Sequence, residues 1–229
     1  MPVLAVMHED SGHVGIVGGT GPAGRALAAR LASVGVAVVI GSRSAERADS
    51  VCDEIRSRWP DRVAGLRGGA NPDAAECPLV VVATPWDAAA ATAASLGSQL
   101  IGKVVVSMAN ALAKVGGEFQ AVVPPGGSVA VGVQKAVPAA RVTAAFHHLP
   151  ARTVGDLDQP VVGDVLVCGD DIRAVEATAD LVRCIPDLRA VHAGGLSAAA
   201  PVEALTAVLV GINARYKARA SIRLMGLDP

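Results

Sequence analysis

The 229-residue sequence predicts a doubly wound α/β fold: a mostly parallel sheet covered by helices on both faces, with a small C-terminal α/β domain. Three observations predict it. Short runs that are apolar at every position alternate with helical runs through the first two thirds of the chain. A glycine-rich turn joins the first apolar run to the first helix. Hydrophobic residues make up 52% of the chain and aromatic residues only 2%, so the core must be aliphatic and large enough to bury a sheet on both faces.

In order, "HVGIVGG" from His13 reads as a buried strand, and "AGRALAARLASVG" from Ala23 as a helix ending at Gly35. "VAVVIGS" is the next strand and "SAERADSVCDEIRSRW" the next helix, with Ser44 as its N-cap. "PLVVVAT" and "GKVVVSM" follow as strands, with the helix "PWDAAAATAASLGSQL" between them, and "RVTAAFHHLP" runs from a strand into a loop. Between Asn110 and Val129 Gly and Pro interrupt the pattern, which predicts a mobile excursion. After Pro150 the chain restarts with "DVLVCGDD", the helical run "IRAVEATADLVRCI" and "LRAVHAGGLSAAA". Val202, Leu205, Leu209, Ile212 and Tyr216 then recur at spacings of three and four, one face of a long helix. The division expected is an N-terminal extension over 1–12, a nucleotide-binding domain over 13–152 and a small domain over 153–229.

Gly19-Thr20-Gly21-Pro22-Ala23-Gly24 fits G-x-G-x-x-G directly between a strand and a helix, the dinucleotide fingerprint of a Rossmann-type sheet. Its glycines serve the tight turn, the approach of backbone to a pyrophosphate and close helix packing, and the helix N-terminus favours the phosphates. At the end of the second strand, where a binder of NAD carries Asp or Glu, the chain has Ser42 and Arg43, with Arg47 one helical turn on. Guanidinium groups bind a 2′-phosphate that a carboxylate repels, so the cofactor expected is NADP(H).

The formal net charge is −1 with no long run of one sign, which leaves no electrostatic basis for binding nucleic acid or an anionic membrane. Cys52, Cys77, Cys168 and Cys184 lie far apart, an arrangement of buried thiols rather than a zinc site. Asp170 or Asp171 of "GDD" reads as a helix cap, and no metal is expected. The first dozen residues do not read as a signal peptide, and no stretch long enough to span a bilayer lacks charges or glycines, so a cytoplasmic protein is expected.

In order along the chain, "GGTGPAG", "IGSRSAERA", "ATPWDAA", "KVVVSMANAL", "AAFHHLPA", "DVLVCGDD" and "VEALTAVLVGINARYKARASIRL" resemble the coenzyme F420-dependent NADP oxidoreductase family, from about His13 to about Met225. The resemblance implies an NADPH:coenzyme F420 oxidoreductase that passes a hydride between C4 of the nicotinamide and C5 of the deazaflavin. It places Thr20, Gly21, Pro22 and Ala23 on the pyrophosphate and Ser42, Arg43 and Arg47 on the 2′-phosphate. It further implies that Pro85 lines the cofactor, that the Ala151 backbone meets the carboxamide, that His147 and Leu149 sit by the two rings, and that Ala220, on the last helix, touches the deazaflavin. His148 departs from a smaller residue common in the family, and residues 152–162 diverge more.

Two cofactors that carry the chemistry need proximity and a dry pocket more than an acid–base pair, and the sequence shows no nucleophile–His–carboxylate arrangement. His147 therefore reads as a hydrogen-bond donor or wall residue, with a purely structural histidine as the alternative. The coenzyme's phosphodiester and glutamate tail calls for cations, and Lys135, Arg141, Arg215, Lys217, Arg219 and Arg223 are available. Competing readings are an NADPH-dependent reductase of an imine, flavin or ferric ion, and a non-catalytic NADP-binding redox sensor. The apolar face of the last helix closes the site in this reading and allows a homodimer.

Overall fold

The computed structural model describes residues 14–227; His13 and the extension expected over 1–12 lie outside the described residues. The first half runs β1 (Val14–Val17), α1 (Pro22–Ser33), β2 (Val38–Ser42), α2 (Ala45–Arg58), β3 (Leu66–Ala70), α3 (Asn71–Ala75), β4 (Leu79–Val82), α4 (Trp86–Ser95) and β5 (Val104–Ser107). The second half runs β6 (Leu112–Val115), β7 (Glu118–Ala121), α5 (Val129–Ala136), β8 (Arg141–Ala144), α6 (Ala151–Val154), β9 (Gly163–Gly169), α7 (Ile172–Arg183), β10 (Leu188–Gly194) and α8 (Ala199–Tyr216).

Eight strands form one sheet in the order β10-β9-β8-β5-β4-β1-β2-β3, parallel at every pairing except β8 with β9. The strand order reverses at β1, whose neighbours are β2 on one side and β4 on the other, and doubly wound sheets bind ligands at the carboxyl ends of strands at that point. The strands are apolar throughout because both faces are covered. Ile16 and Val81 point into one hydrophobic layer while their neighbours Val17 and Val80 point into the other. The segment after residue 153 gives β9 and β10 to this same sheet, so the hydrophobic layers continue into it.

The expected caps form. Ser44 Oγ accepts from Arg47 N at 3.2 Å at the start of α2, and Asp171 Oδ1 accepts from Ala174 N at 2.9 Å at the start of α7. Two elements have weak sequence signals. β3 is "LRGGA", and α3 follows it without a loop. The Gly/Pro-rich excursion contains an antiparallel hairpin, β6 with β7, whose turn residues Gly116 and Gly117 have φ of 58° and 91°, the backbone a tight two-residue hairpin requires.

The last helix differs from its apolar pattern. Its buried side chains are Ala199, Val202, Glu203, Thr206 and Leu209, while Ile212 is 36% and Tyr216 73% exposed. The polar Glu203 and Thr206 turn inward because each meets backbone groups of neighbouring elements. The helix stops at Tyr216, where Lys217 enters the left-handed region at φ 49°. Ala220 is therefore not helical. It lies on a C-terminal strap that returns along β9, held by Asp164 N donating to Ile222 O at 2.8 Å. The buried Asp164 carboxylate accepts from Arg189 Nε and Nη2 at 2.9 and 2.8 Å and from Leu224 N at 2.6 Å.

Candidate functional site

The loop after β1 is held by hydrogen bonds to neighbouring elements. Gly18 N donates to Asn71 Oδ1 at 3.0 Å, and Gly19 N to Gly41 O at 2.9 Å, which draws the loop against the end of β2. A Cβ on Gly24 would lie 2.7 Å from Gly19 Cα and 3.1 Å from Ala83 Cβ, so this glycine lets α1 pack on the strands. Gly21 differs: a Cβ there would meet only Gly18 O at 3.9 Å, at an ordinary φ of −72°. Protein packing gives no reason for a glycine at 21; approach of a ligand does. Gly21 is the N-cap of α1 without a side-chain capping bond, and Pro22 and Ala23 beyond it are exposed. The first-turn amides therefore face outward, ready for phosphate oxygens.

At the end of β2, Ser42 is buried and its Oγ accepts from Ser44 N at 3.4 Å. Arg43 and Arg47 are exposed, and among the described residues neither is in an ion pair. Ser44 Oγ also donates to Glu46 at 2.6 Å, which holds that carboxyl below its ordinary pKa. Two unengaged guanidinium groups beside a helix N-terminus suit a phosphate and leave no carboxylate at the position that selects NAD.

Further along the crevice, β4, β5 and β8 are sheet neighbours, and near the end of each stands a buried polar group without a hydrogen-bond partner: Thr84 Oγ1, Ser107 Oγ and both ring nitrogens of His147. Pro85 follows Thr84, exposed, as the N-cap of α4. Phe146, at φ 63°, turns the chain out of β8 into the 147–150 segment. His147 O accepts from Asn110 Nδ2 at 2.7 Å and from Thr206 Oγ1 at 3.3 Å, which ties the β8 turn to β5 and α8. The His147 ring is 4% exposed, and burial, then the neighbouring His148, lowers its pKa to about 3. It is a neutral imidazole at working pH. His148 Nε2–H donates to Asp164 O at 2.8 Å, so the ring that departs from the family pattern is anchored on β9.

Leu149 is half-buried and packs on the core. Ala151 opens α6, and the segment behind it is fixed by Arg30 of α1. That side chain is 7% exposed and donates to Val154 O, Thr153 O, Asp156 O and Gln159 O at 2.9, 3.2, 2.6 and 2.9 Å. Pro22, Ala151 and Arg219 line one cleft, so the phosphate loop, the β8 turn and the strap carrying Ala220 converge. The Ala220 amide itself donates to Asn213 Oδ1 at 2.5 Å. Sequence reasoning missed Arg30, Thr84, Ser107, Asn110 and Thr206. Only the proximity of Thr84 to Pro85 and of Ser107 to a strand end gave any signal.

The same order of segments recurs in known proteins. The family model described as NADP oxidoreductase, coenzyme F420-dependent, matches residues 13–111. The F420-dependent NADP reductase of Methanocaldococcus jannaschii is 36% identical over 94% of this chain and 99% of its own length. The chain belongs to the F420-dependent NADP reductase family. Its Methanothermobacter thermautotrophicus member is 34% identical over 93% of this chain and 95% of its own. A crystal structure of a candidate F420-dependent NADP reductase from Arthrobacter sp. FB24 superposes with a TM-score of 0.78 over 94% of this chain and 99% of that chain, at 24% identity. At that identity the likeness speaks for the fold, and it shows the Rossmann-type sheet that the sequence predicted.

Proposed function

We propose that this protein is an NADPH:coenzyme F420 oxidoreductase. The observation that carries the reading is the near full-length match, at 36% identity, to an F420-dependent NADP reductase. When bound, the two coenzymes supply the chemistry, a hydride moving between the nicotinamide and the deazaflavin. The residues of this chain bind, orient and keep the pair dry.

The amides of Thr20, Gly21 and Ala23, with Pro22 and the glycines at 19 and 24 shaping the turn, hold the pyrophosphate at the N-terminus of α1. Ser42, Arg43 and Arg47 hold the 2′-phosphate. Pro85 lines the nicotinamide and the Ala151 backbone orients its carboxamide. Leu149 keeps the rings in register. His147, neutral, offers one N–H and one lone pair and closes the wall. Ala220 on the strap meets the deazaflavin, so residues 13–152 serve the nucleotide half and residues 153–229 complete the other.

The reading includes neither nucleic acid nor membrane. Leu196–Tyr216, which contains α8, has the length and apolarity of a bilayer-spanning helix, at a mean hydropathy of 1.5, yet it buries Glu203 against α5. Its exposed Val208, Ile212 and Tyr216 suit a second copy of the chain, and the cytoplasm is the compartment proposed. Light scattering is expected to report a dimer.

The test is stopped-flow mixing of the protein with NADPH and oxidised coenzyme F420, following loss of deazaflavin absorbance. Rapid bleaching with NADPH and little with NADH is expected. Tight NADPH binding without bleaching overturns the acceptor.

A further inference from the structure

The loop after β1 is also held from outside its own fingerprint, by the short helix α3. That helix lies directly on the sheet because three neighbouring strands each offer it a glycine. A Cβ on Gly15 of β1 would collide with Ala74 O. One on Gly41 of β2 would lie 2.7 Å from Ala74 Cβ, and one on Gly69 of β3 would lie 2.9 Å from Asp73 Oδ2. Side chains at these positions would lift α3 off the strands. The start of the helix is fixed as well: Pro72 occupies its first turn, and Asp73 Oδ2 accepts from Ala70 N at 2.7 Å.

This close seat brings the Asn71 side chain to the loop. Asn71 Oδ1 accepts from Gly18 N at 3.0 Å, a bond that spans 53 residues. The N–H donor fixes which end of the carboxamide faces it, since only the oxygen accepts. Gly18 stands at φ 69°, and a Cβ there would collide with Thr84 Cγ2, so the residue is fitted between α3 and the end of β4. Gly18 O in turn accepts from Gly21 N at 3.5 Å, and Gly21 is the N-cap of α1. A displacement of Gly18 therefore moves the turn that leads into the first amides of α1. A carboxylate at position 71 would accept the same bond but set a negative charge beside an anion site. The carboxamide orients the loop without one.

We propose that Asn71 is a positioning residue for the dinucleotide: it acts through Gly18, setting the turn that receives the pyrophosphate. The proposal rests on the nucleotide half of the reading above. It divides that half into two parts with different supports. Ser42, Arg43 and Arg47, which take the 2′-phosphate, run from the end of β2 into α2, whereas the pyrophosphate turn depends on α3.

The experiment is calorimetric titration of the unaltered protein and three variants with NADPH, NADH and 2′-AMP, which carries the 2′-phosphate but no pyrophosphate. Asn71→Ala should weaken NADPH and NADH by the same factor, about five- to tenfold, the effect of one lost hydrogen bond, and leave 2′-AMP unchanged. Arg43→Asp gives the converse pattern, weakening NADPH and 2′-AMP and sparing NADH. Asn71→Asp keeps the acceptor, so its loss of NADPH affinity relative to the unaltered protein should shrink as salt rises, while that of Asn71→Ala should not. Where the alanine variant does not fold, the aspartate variant decides alone. Equal losses for all three ligands in Asn71→Ala mark general damage and overturn the proposal. Unchanged NADPH affinity in Asn71→Ala overturns it too, as does a loss in Asn71→Asp that salt leaves unaltered. Failure of the unaltered protein to bind NADPH overturns the nucleotide reading, and the proposal with it.

Discussion

His147 allows one role to be separated from another by pH alone. Its ring is buried with both nitrogens unpartnered, and burial followed by the nearby His148 sets its pKa at about 3, against 6.5 for the exposed group. Between those values the unfolded chain binds a proton that the folded chain does not, so stability rises with pH. The contribution is fully present above 6.5 and is lost progressively as pH falls toward 3. From pH 7 to pH 5 the loss through this one ring is about 2 kcal/mol, roughly a thirtyfold change in the folding equilibrium. His148, also lowered by burial, adds to the loss in the same direction. His147→Leu removes the first contribution and two unpartnered nitrogens with it, so the variant should be no less stable at pH 7. Urea unfolding of both proteins at pH 7, 6 and 5 measures the difference. The unaltered protein should lose about 2 kcal/mol more than the variant over that interval. Parallel losses, or a His147 ring resonance titrating near 6.5, would refute the buried neutral imidazole. The same reasoning makes the hydride-transfer rate free of any His147 titration between pH 5 and 8.

Gly21→Val should lower the melting temperature only modestly, by the poorer N-cap, because no protein atom meets its Cβ closer than 3.9 Å, while weakening NADPH binding by titration more than tenfold, the cost of one displaced phosphate contact of about 1.5–3 kcal/mol. Gly24→Val should instead lower the melting temperature, since its Cβ would lie 2.7 Å from Gly19 Cα. Arg43→Asp should weaken NADPH by about tenfold or more and NADH little, as expected for one charge-assisted phosphate bond; equal losses would remove it from the 2′-phosphate. Leu149→Ala should slow single-turnover hydride transfer with little change in NADPH affinity, and an unchanged rate would take it away from the ring contact.

The nucleotide half of the site was legible because its signals are local. A strand, three glycines, a helix and two arginines within about thirty residues carry their own geometry, and the fold gives them the strand–turn–helix context they need. The second half depends on contacts far apart in sequence. Arg30 reaches carbonyls more than 120 residues away, and Thr206 meets Asn110 across 96. No periodicity or spacing encodes such pairs. Ala220 differs for another reason: the resemblance places it on the last helix, but the apolar spacing ends at Tyr216, Lys217 turns left-handed and the chain returns to Asp164. The hairpin at 112–121 hides behind Gly and Pro because its two strands are short and mostly exposed, so neither shows a buried pattern.

Some buried polar groups of this fold are fully paired and others are not. Arg30, Asp164 and Glu203 are paired, and each secures backbone lying outside the main sheet: the 153–159 segment, the strap near Leu224 and the first turn of α5, where Val129 N and Ala130 N donate to Glu203 at 2.9 and 3.1 Å. Thr84, Ser107 and His147 have unpartnered atoms near the ends of the adjacent strands β4, β5 and β8, and so do His148 and Thr153 in the segment beyond β8. An unmade buried hydrogen bond costs about 1–3 kcal/mol, so a polar ligand group that meets these atoms would be favoured by that order. In the proposed function, polar groups of the coenzyme pair would meet the atoms at the ends of β4, β5 and β8.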